Sequence, residues 1–132
     1  MVITAIQREL TAFAGRARSR VAELHPELSL VADSILDLIL DRGGCQATDP
    51  AEQFLLDKST VSRQVGALER LGYTTARSTR ATGATISCRP PGAVARAAEQ
   101  RRREAFADRF ADWTDADVAT PASLLTRYNR GD

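Results

Sequence analysis

Residues 54–71, FLLDKSTVSRQVGALERL, decide how this chain is read. Asp57 can accept a hydrogen bond from the open amides of a first helical turn, so a helix is expected to begin just after it. Val61, Val65, Leu68 and Leu71 then recur at steps of four, three and three. That spacing sets them on one buried stripe of an amphipathic helix. Lys58, Ser59, Thr60, Ser62, Arg63, Gln64 and Arg70 lie mainly off the stripe. Several of these side chains donate to phosphates, and Arg and Gln also read base edges. A short capped helix with an apolar back and a Ser/Thr/Arg/Gln front suits a recognition helix in the major groove. The residues alone leave a second reading open, an ordinary surface helix whose polar side faces water.

The run LDKSTVSR, followed by LERLGY, resembles the recognition helix of the MarR (multiple antibiotic resistance regulator) transcription factors. The likeness is close over residues 54–73 and extends in outline over 28–128. It implies a mainly α fold: a winged helix-turn-helix with long N- and C-terminal dimerisation helices and a small β-hairpin wing. It also implies a homodimer on double-stranded DNA, controlled by a small-molecule effector or by cysteine oxidation.

The chain has 132 residues and a formal charge of +1. That length suits one domain, and the overall charge does not mark a nucleic-acid binder. The distribution does more. Over 57–80 the basic residues Lys58, Arg63, Arg70, Arg77 and Arg80 face only Asp57 and Glu69. Positive charge is gathered on the stretch that would meet phosphate. No signal peptide is visible and no apolar run reaches the ~18–20 residues of a membrane span. Cys45 and Cys88 form no close-spaced metal or redox pair. A cytoplasmic protein without metal or cofactor is the expectation.

Residues 2–24 read as one long helix. Ile3, Ile6, Leu10, Phe13, Ala17, Val21 and Leu24 keep a heptad-like spacing. At 1.5 Å per residue this helix would run roughly 35 Å, more than a small globule covers. A second chain is the expected partner; the alternative is that it lies back on its own C-terminal helices. Arg16, Arg18 and Arg20 read as a solvated basic face. His25-Pro26 ends the helix, and the lone histidine has no nucleophile near it in sequence.

Ser29 offers a cap for a second helix to about Asp41, with Leu30, Val31, Ile35, Leu38 and Ile39 facing the core. Asp33, Asp37 and Asp41 read as a solvated acidic stripe, and Gly43-Gly44 as the stop. Asp49-Pro50 with Glu52 reads as the start of a short helix over 50–55, completing a helix-turn-helix with 58–71. Pro50 stands where the family usually has a core leucine, and Leu55 where glycine often makes the turn. Gly72 closes the recognition helix.

Residues 73–77 and 84–88 read as two strands, with Ala84, Ile86 and Cys88 on a buried face. The polar tip between them, SerThrArgAlaThrGly, reads as a wing that sets an arginine at the minor groove. The family's acidic residue is missing there, and Arg77 and Arg80 are the available substitutes. Pro90-Pro91-Gly92 opens a long helix over 93–112, with Arg101-Arg102-Arg103 expected on a solvated face. Thr114 and Asp117 suit a capping box for a last helix, which Pro121 should kink or restart at Thr120.

The domain reading is therefore dimerisation helices at 1–27 and 93–132 around a DNA-binding lobe at 28–92. The function expected is a repressor on a pseudo-palindromic operator, released by a small molecule. The effector pocket is expected among Phe13, Phe106, Phe110 and Trp113. Cysteine control is the weaker option, because Cys88 falls on an inward strand face and Cys45, expected to be exposed after two glycines, has only Arg42 as a cationic neighbour. The rival is a DNA-free dimerisation or anti-regulator module. An enzyme would need a nucleophile–base pair, a phosphate loop or a metal cluster, and none is legible.

Overall fold

The computed structural model describes the backbone of residues 1–79, 83–88 and 93–131, and the side chains among them except at 76–88, 93–95 and 98. Its elements run α1 (Val2–Leu24), α2 (Leu30–Arg42), β1 (Cys45–Gln46), α3 (Thr48–Gln53), α4 (Lys58–Arg70), β2 (Thr74–Thr79), β3 (Gly83–Cys88), α5 (Ala93–Asp108) and α6 (Asp115–Arg130). The architecture is mainly α with a small antiparallel sheet of order β1-β3-β2. β2 and β3 form the hairpin, in register from Thr74 opposite Cys88 to Thr79 opposite Gly83. β1, which the sequence reading did not foresee, adds Cys45 opposite Ile86.

The core is built around α2. Ile35 and Ile39 are fully buried and meet Val61, Val65 and Leu68 of α4 in one apolar cluster with Val21, Leu28 and Tyr73. Of the expected α4 stripe, Leu71 is the exception: it is the C-cap, beyond the last helical residue, and is 46 % exposed. The caps are formed as the residue types suggest. Ser29 Oγ accepts from Ala32 N at 3.0 Å, Asp57 Oδ1 from Thr60 N at 2.6 Å, and Gly43 ends α2 in the left-handed region.

Several expectations are corrected. α3 starts at Thr48, not after Asp49, because the Asp49 carboxylate turns back to accept from Gln46 N at 2.8 Å and makes no capping box with Glu52. Pro50 is fully buried. α5 ends at Asp108; beyond it the amides of Arg109 and Phe110 bond back only three residues, tightening the chain into turns. α6 runs unbroken through Pro121. The carbonyl that the proline leaves unpaired belongs to Asp117, an exposed residue, where water can replace the lost amide. Cys45 is buried in the cluster, whereas its position after two glycines suggested exposure. The expected buried face of Ala84, Ile86 and Cys88 lies outside the described side chains.

Leu55 makes the turn between α3 and α4 at φ +53, with its side chain 92 % exposed. A left-handed backbone crowds a Cβ by about 1–2 kcal/mol, and this leucine recovers nothing by burial. Leu55→Gly is therefore expected to stabilise the fold by about 1 kcal/mol after the entropy cost of glycine. A lower urea midpoint for the variant would contradict this.

Tyr73 ties the hairpin to the α1–α2 connection, donating its hydroxyl to Glu27 Oε1 at 2.9 Å. Burial first, and this bond second, raise the phenol above its ordinary value. A backbone hydrogen bond, then the Tyr73 hydroxyl, lower the Glu27 carboxyl. The phenol's contribution to stability is thus whole below about pH 10 and lost as pH rises through its higher folded value. The carboxylate's is present above its unfolded value and lost as pH falls through the folded one. Tyr73→Phe should cost about 1 kcal/mol near neutrality and flatten the alkaline loss; a parent-like alkaline limb in the variant would sink this account.

Candidate nucleic-acid interface and ligand cleft

α4 is held from behind by α2 and from its start by Asp57. Hydrogen bonds from Thr60 foremost, then Ser59, keep the Asp57 carboxyl below the usual range, so it stays ionised as a cap. With Val61, Val65 and Leu68 inward, a period of 3.6 turns Ser59, Arg63 and Arg70 to the opposite side. All three are exposed, as are Lys58 and Ser62 on one flank. Thr60 and Gln64, on the other flank, are half-buried. Arg63 Nη2 donates to Thr60 Oγ1 at 3.2 Å, which lays the guanidinium along the helix. Gln64 Oε1 accepts from Ser29 Oγ at 3.1 Å, fastening α4 to the head of α2 and leaving the amide NH₂ as its remaining donor. Arg77 is in β2, opposite Thr85, and its side chain lies outside the described residues, as does all of Arg80.

A second site lies above this lobe. α1, α2 and α5 enclose a cleft of about 440 Å³ lined by Phe13, Ala17, Val21, Leu24, Leu30 and Phe106, with Arg20, Asp33, Arg102 and Arg103 among its polar walls. Phe13 and Phe106 thus stand where an effector pocket was expected. Phe110 and Trp113 do not line it. They continue from Phe106 as an edge-to-face ladder, with ring centroids 5.1 and 5.0 Å apart, and Trp113 borders a separate surface hollow.

The floor of the cleft holds the feature that sequence reading missed. Arg102 does not face solvent: it reaches across to α2, donating to Asp33 Oδ2 at 3.2 Å and to Asp37 Oδ1. Asp33 is buried, so two members of the supposed solvated stripe are ion-paired. Arg103 pairs with Glu99 at 2.6 Å. The only signal was the four-residue spacing of Asp33 and Asp37, matched to a fork of guanidinium donors. Nothing in the sequence named the partner helix. Among the described residues no group of His, Cys, Asp and Glu could hold a metal ion, and no helix is long and apolar enough to cross a membrane.

A helix-turn-helix with an adjoining β-hairpin, carried between long terminal helices, defines a winged-helix protein. The particular fold is the one adopted by the MarR-family transcriptional regulators. A MarR-family regulator from Rhodococcus sp. RHA1 superposes with a TM-score of 0.81 at 20% identity, over 98% of this chain and 96% of that one. CouR from Rhodococcus jostii RHA1, solved with p-coumaroyl-CoA, gives 0.79 at 22% identity, over 94% and 91%. An organohalide-sensing RdhR regulator, solved with 2,4-dichlorophenol, gives 0.76 at 15% identity, over 99% and 81%. No protein-family profile and no curated protein matches the chain.

Proposed function

We propose that the chain is a DNA-binding transcriptional repressor that works as a homodimer and is released by a small molecule. The observation that carries this reading is α4. It is a capped helix whose back is locked into the core and whose front offers Ser59, Arg63 and Arg70 beyond the protein surface. Two such helices, one per chain, suit successive major grooves about one helical turn apart on a pseudo-palindrome. Lys58 and Ser59 anchor phosphates, while Thr60, Ser62, Arg63 and the free amide of Gln64 supply base contacts. Arg70 follows the backbone, and Arg77 and Arg80 of the wing flank the site. To read a base, Arg63 exchanges its bond to Thr60 for the base edge.

The cleft is the effector site in this reading. Its apolar walls with a few charged groups fit an aromatic or aliphatic small molecule, and the fold neighbours solved with p-coumaroyl-CoA and a chlorophenol support that class. A ligand there releases DNA by favouring a placement of α5 against α2 that misfits the groove spacing.

A gel shift with the DNA upstream of the chain's own gene tests the first part. Arg63→Ala should cost roughly 1–3 kcal/mol on the specific site and relax preference at one position. Lys58→Ala should weaken all sequences alike and flatten the salt dependence. If both variants bind like the parent across a salt series, α4 does not enter the groove, and a DNA-free dimerisation module becomes the better description.

A further inference from the structure

Ser29 and Gln64 stand 35 residues apart and share a hydrogen bond where the head of α2 meets α4. Ser29 is the N-cap of α2, and its Oγ accepts from Ala32 N at 3.0 Å. A hydroxyl carries a single proton, and that of Ser29 goes to Gln64 Oε1 at 3.1 Å. Ile35 and Ile39, packed in one cluster with Val61, Val65 and Leu68, keep the two helices at that spacing. Gln64 therefore differs from a free glutamine. A free carboxamide offers a donor and an acceptor together, the pair that matches adenine N6 and N7. Here the oxygen is turned to Ser29, and the NH₂ is the group left to meet DNA. Guanine offers that NH₂ two acceptors, N7 and O6, whereas adenine sets its own N6 donor against it.

We propose that Ser29 is a positioning residue that makes Gln64 a donor-only reader, so that the base facing Gln64 in each half-site is guanine and not adenine. This rests on α4 entering the major groove, and adds the base selected there and the residue outside α4 that sets the choice. An aspartate in place of Ser29 should reverse it. Asp57 caps α4 with φ −77 and ψ 161, nearly the φ −77 and ψ 163 of Ser29, and accepts from Thr60 N. An aspartate thus fits position 29 as a cap. Having no proton to give, its carboxylate holds Gln64 by the NH₂ and turns Oε1 outward. That oxygen accepts from adenine N6 and is repelled by guanine O6.

Sequencing the sites that the full chain retains from a pool of randomised DNA duplexes tests it. Gln64→Ala should erase the preference at one position of each half-site, which locates the base that Gln64 faces. At that position the parent should favour guanine over adenine roughly tenfold. Ser29→Thr, which keeps the hydroxyl, should hold that order, and Ser29→Asp should reverse it. Ser29→Gly keeps most of the cap's stability but frees the carboxamide, so its preference should move towards adenine; it decides the matter if the aspartate variant does not fold. A bond that merely fastened the two helices would change the urea midpoints of these variants and leave base preference where it was. That result, unchanged preferences in Gln64→Ala, or a parent that favours adenine at the located position overturns the proposal and leaves α4 in the groove. A parent that enriches no sequence from the pool rejects the groove reading itself, and this proposal with it.

Discussion

Ile3→Glu with Ile6→Glu is expected to yield a folded monomer whose DNA affinity is lower by roughly a hundredfold or more, since a half-site offers about half the contacts. The reason is the distribution of burial along the terminal helices. The seam of α1 divides in two. Val21 belongs to the core and Leu24 is half-buried, whereas Ile3, Ile6 and Phe13 are 65, 49 and 51 % exposed. α6 buries no residue at all, and Val118, Leu124, Leu125 and Tyr128 are exposed. Such apolar helix faces on a small chain suit a partner, and in the proposed homodimer a second copy would supply two matching faces at once. Because Val21 is core, deleting all of α1 would damage the lobe itself; the point substitutions avoid this. Helical content by circular dichroism should stay near the parent's while sedimentation reports the lower mass. A parent chain that already sediments as a well-folded monomer at micromolar concentration would remove the basis of this expectation, and with it the two-groove reading of DNA.

The second large effect is expected at Arg102. Its side chain is 23 % exposed and Asp33's only 8 %, so Arg102→Ala strands a carboxylate out of water. Breaking a fully buried pair costs about 3–5 kcal/mol. Residual exposure here, and the more open Asp37, bring the expected loss to about 2–3 kcal/mol. Arg102→Lys should recover part of it, because an ammonium reaches one carboxylate but cannot fork to two. In a double-mutant cycle, Asp33→Ala should be milder in the Arg102→Ala background than in the parent. Urea midpoints within about 0.5 kcal/mol of the parent for Arg102→Ala would show that the clamp is not structural. The site matters beyond stability. Arg102 lines the cleft and grips α2, which packs against α4, so under the proposed function a ligand in the cleft would bear on the link between α5 and α4. Loss of the clamp should therefore also blunt the response of DNA binding to ligand.

Local chemistry explains what was legible from residues alone. The Asp57 and Ser29 caps, the Thr114–Asp117 capping box and the glycine stop at Gly43 each depend on groups within four residues of one another. Chain order already fixes their geometry. The stripes of α2 and α4 follow from the helical period, which turns their apolar residues to one side. The exposed front of α4 is the complement of that stripe, so its candidate DNA-facing residues could be named without coordinates.

Period, however, says that a face will be covered and not by what. It could not divide the α1 seam into a core end at Val21 and an open end at Ile3. It could not tell a solvated arginine from Arg102, whose partners lie 69 and 65 residues away, or foresee that Tyr73 would reach Glu27 across 46. Nor could it show that Phe13 and Phe106 close on one cleft while Phe110 and Trp113 turn aside. These contacts join segments that only the packing of α1, α2 and α5 brings together. The sequence by itself determined the apolar stripe of α2, the caps of α2, α4 and α6, and the polar face of α4, because those rest on neighbours along the chain. Tertiary structure alone decided the clamp and the cleft, because charge pairing and cavity shape depend on distances between elements.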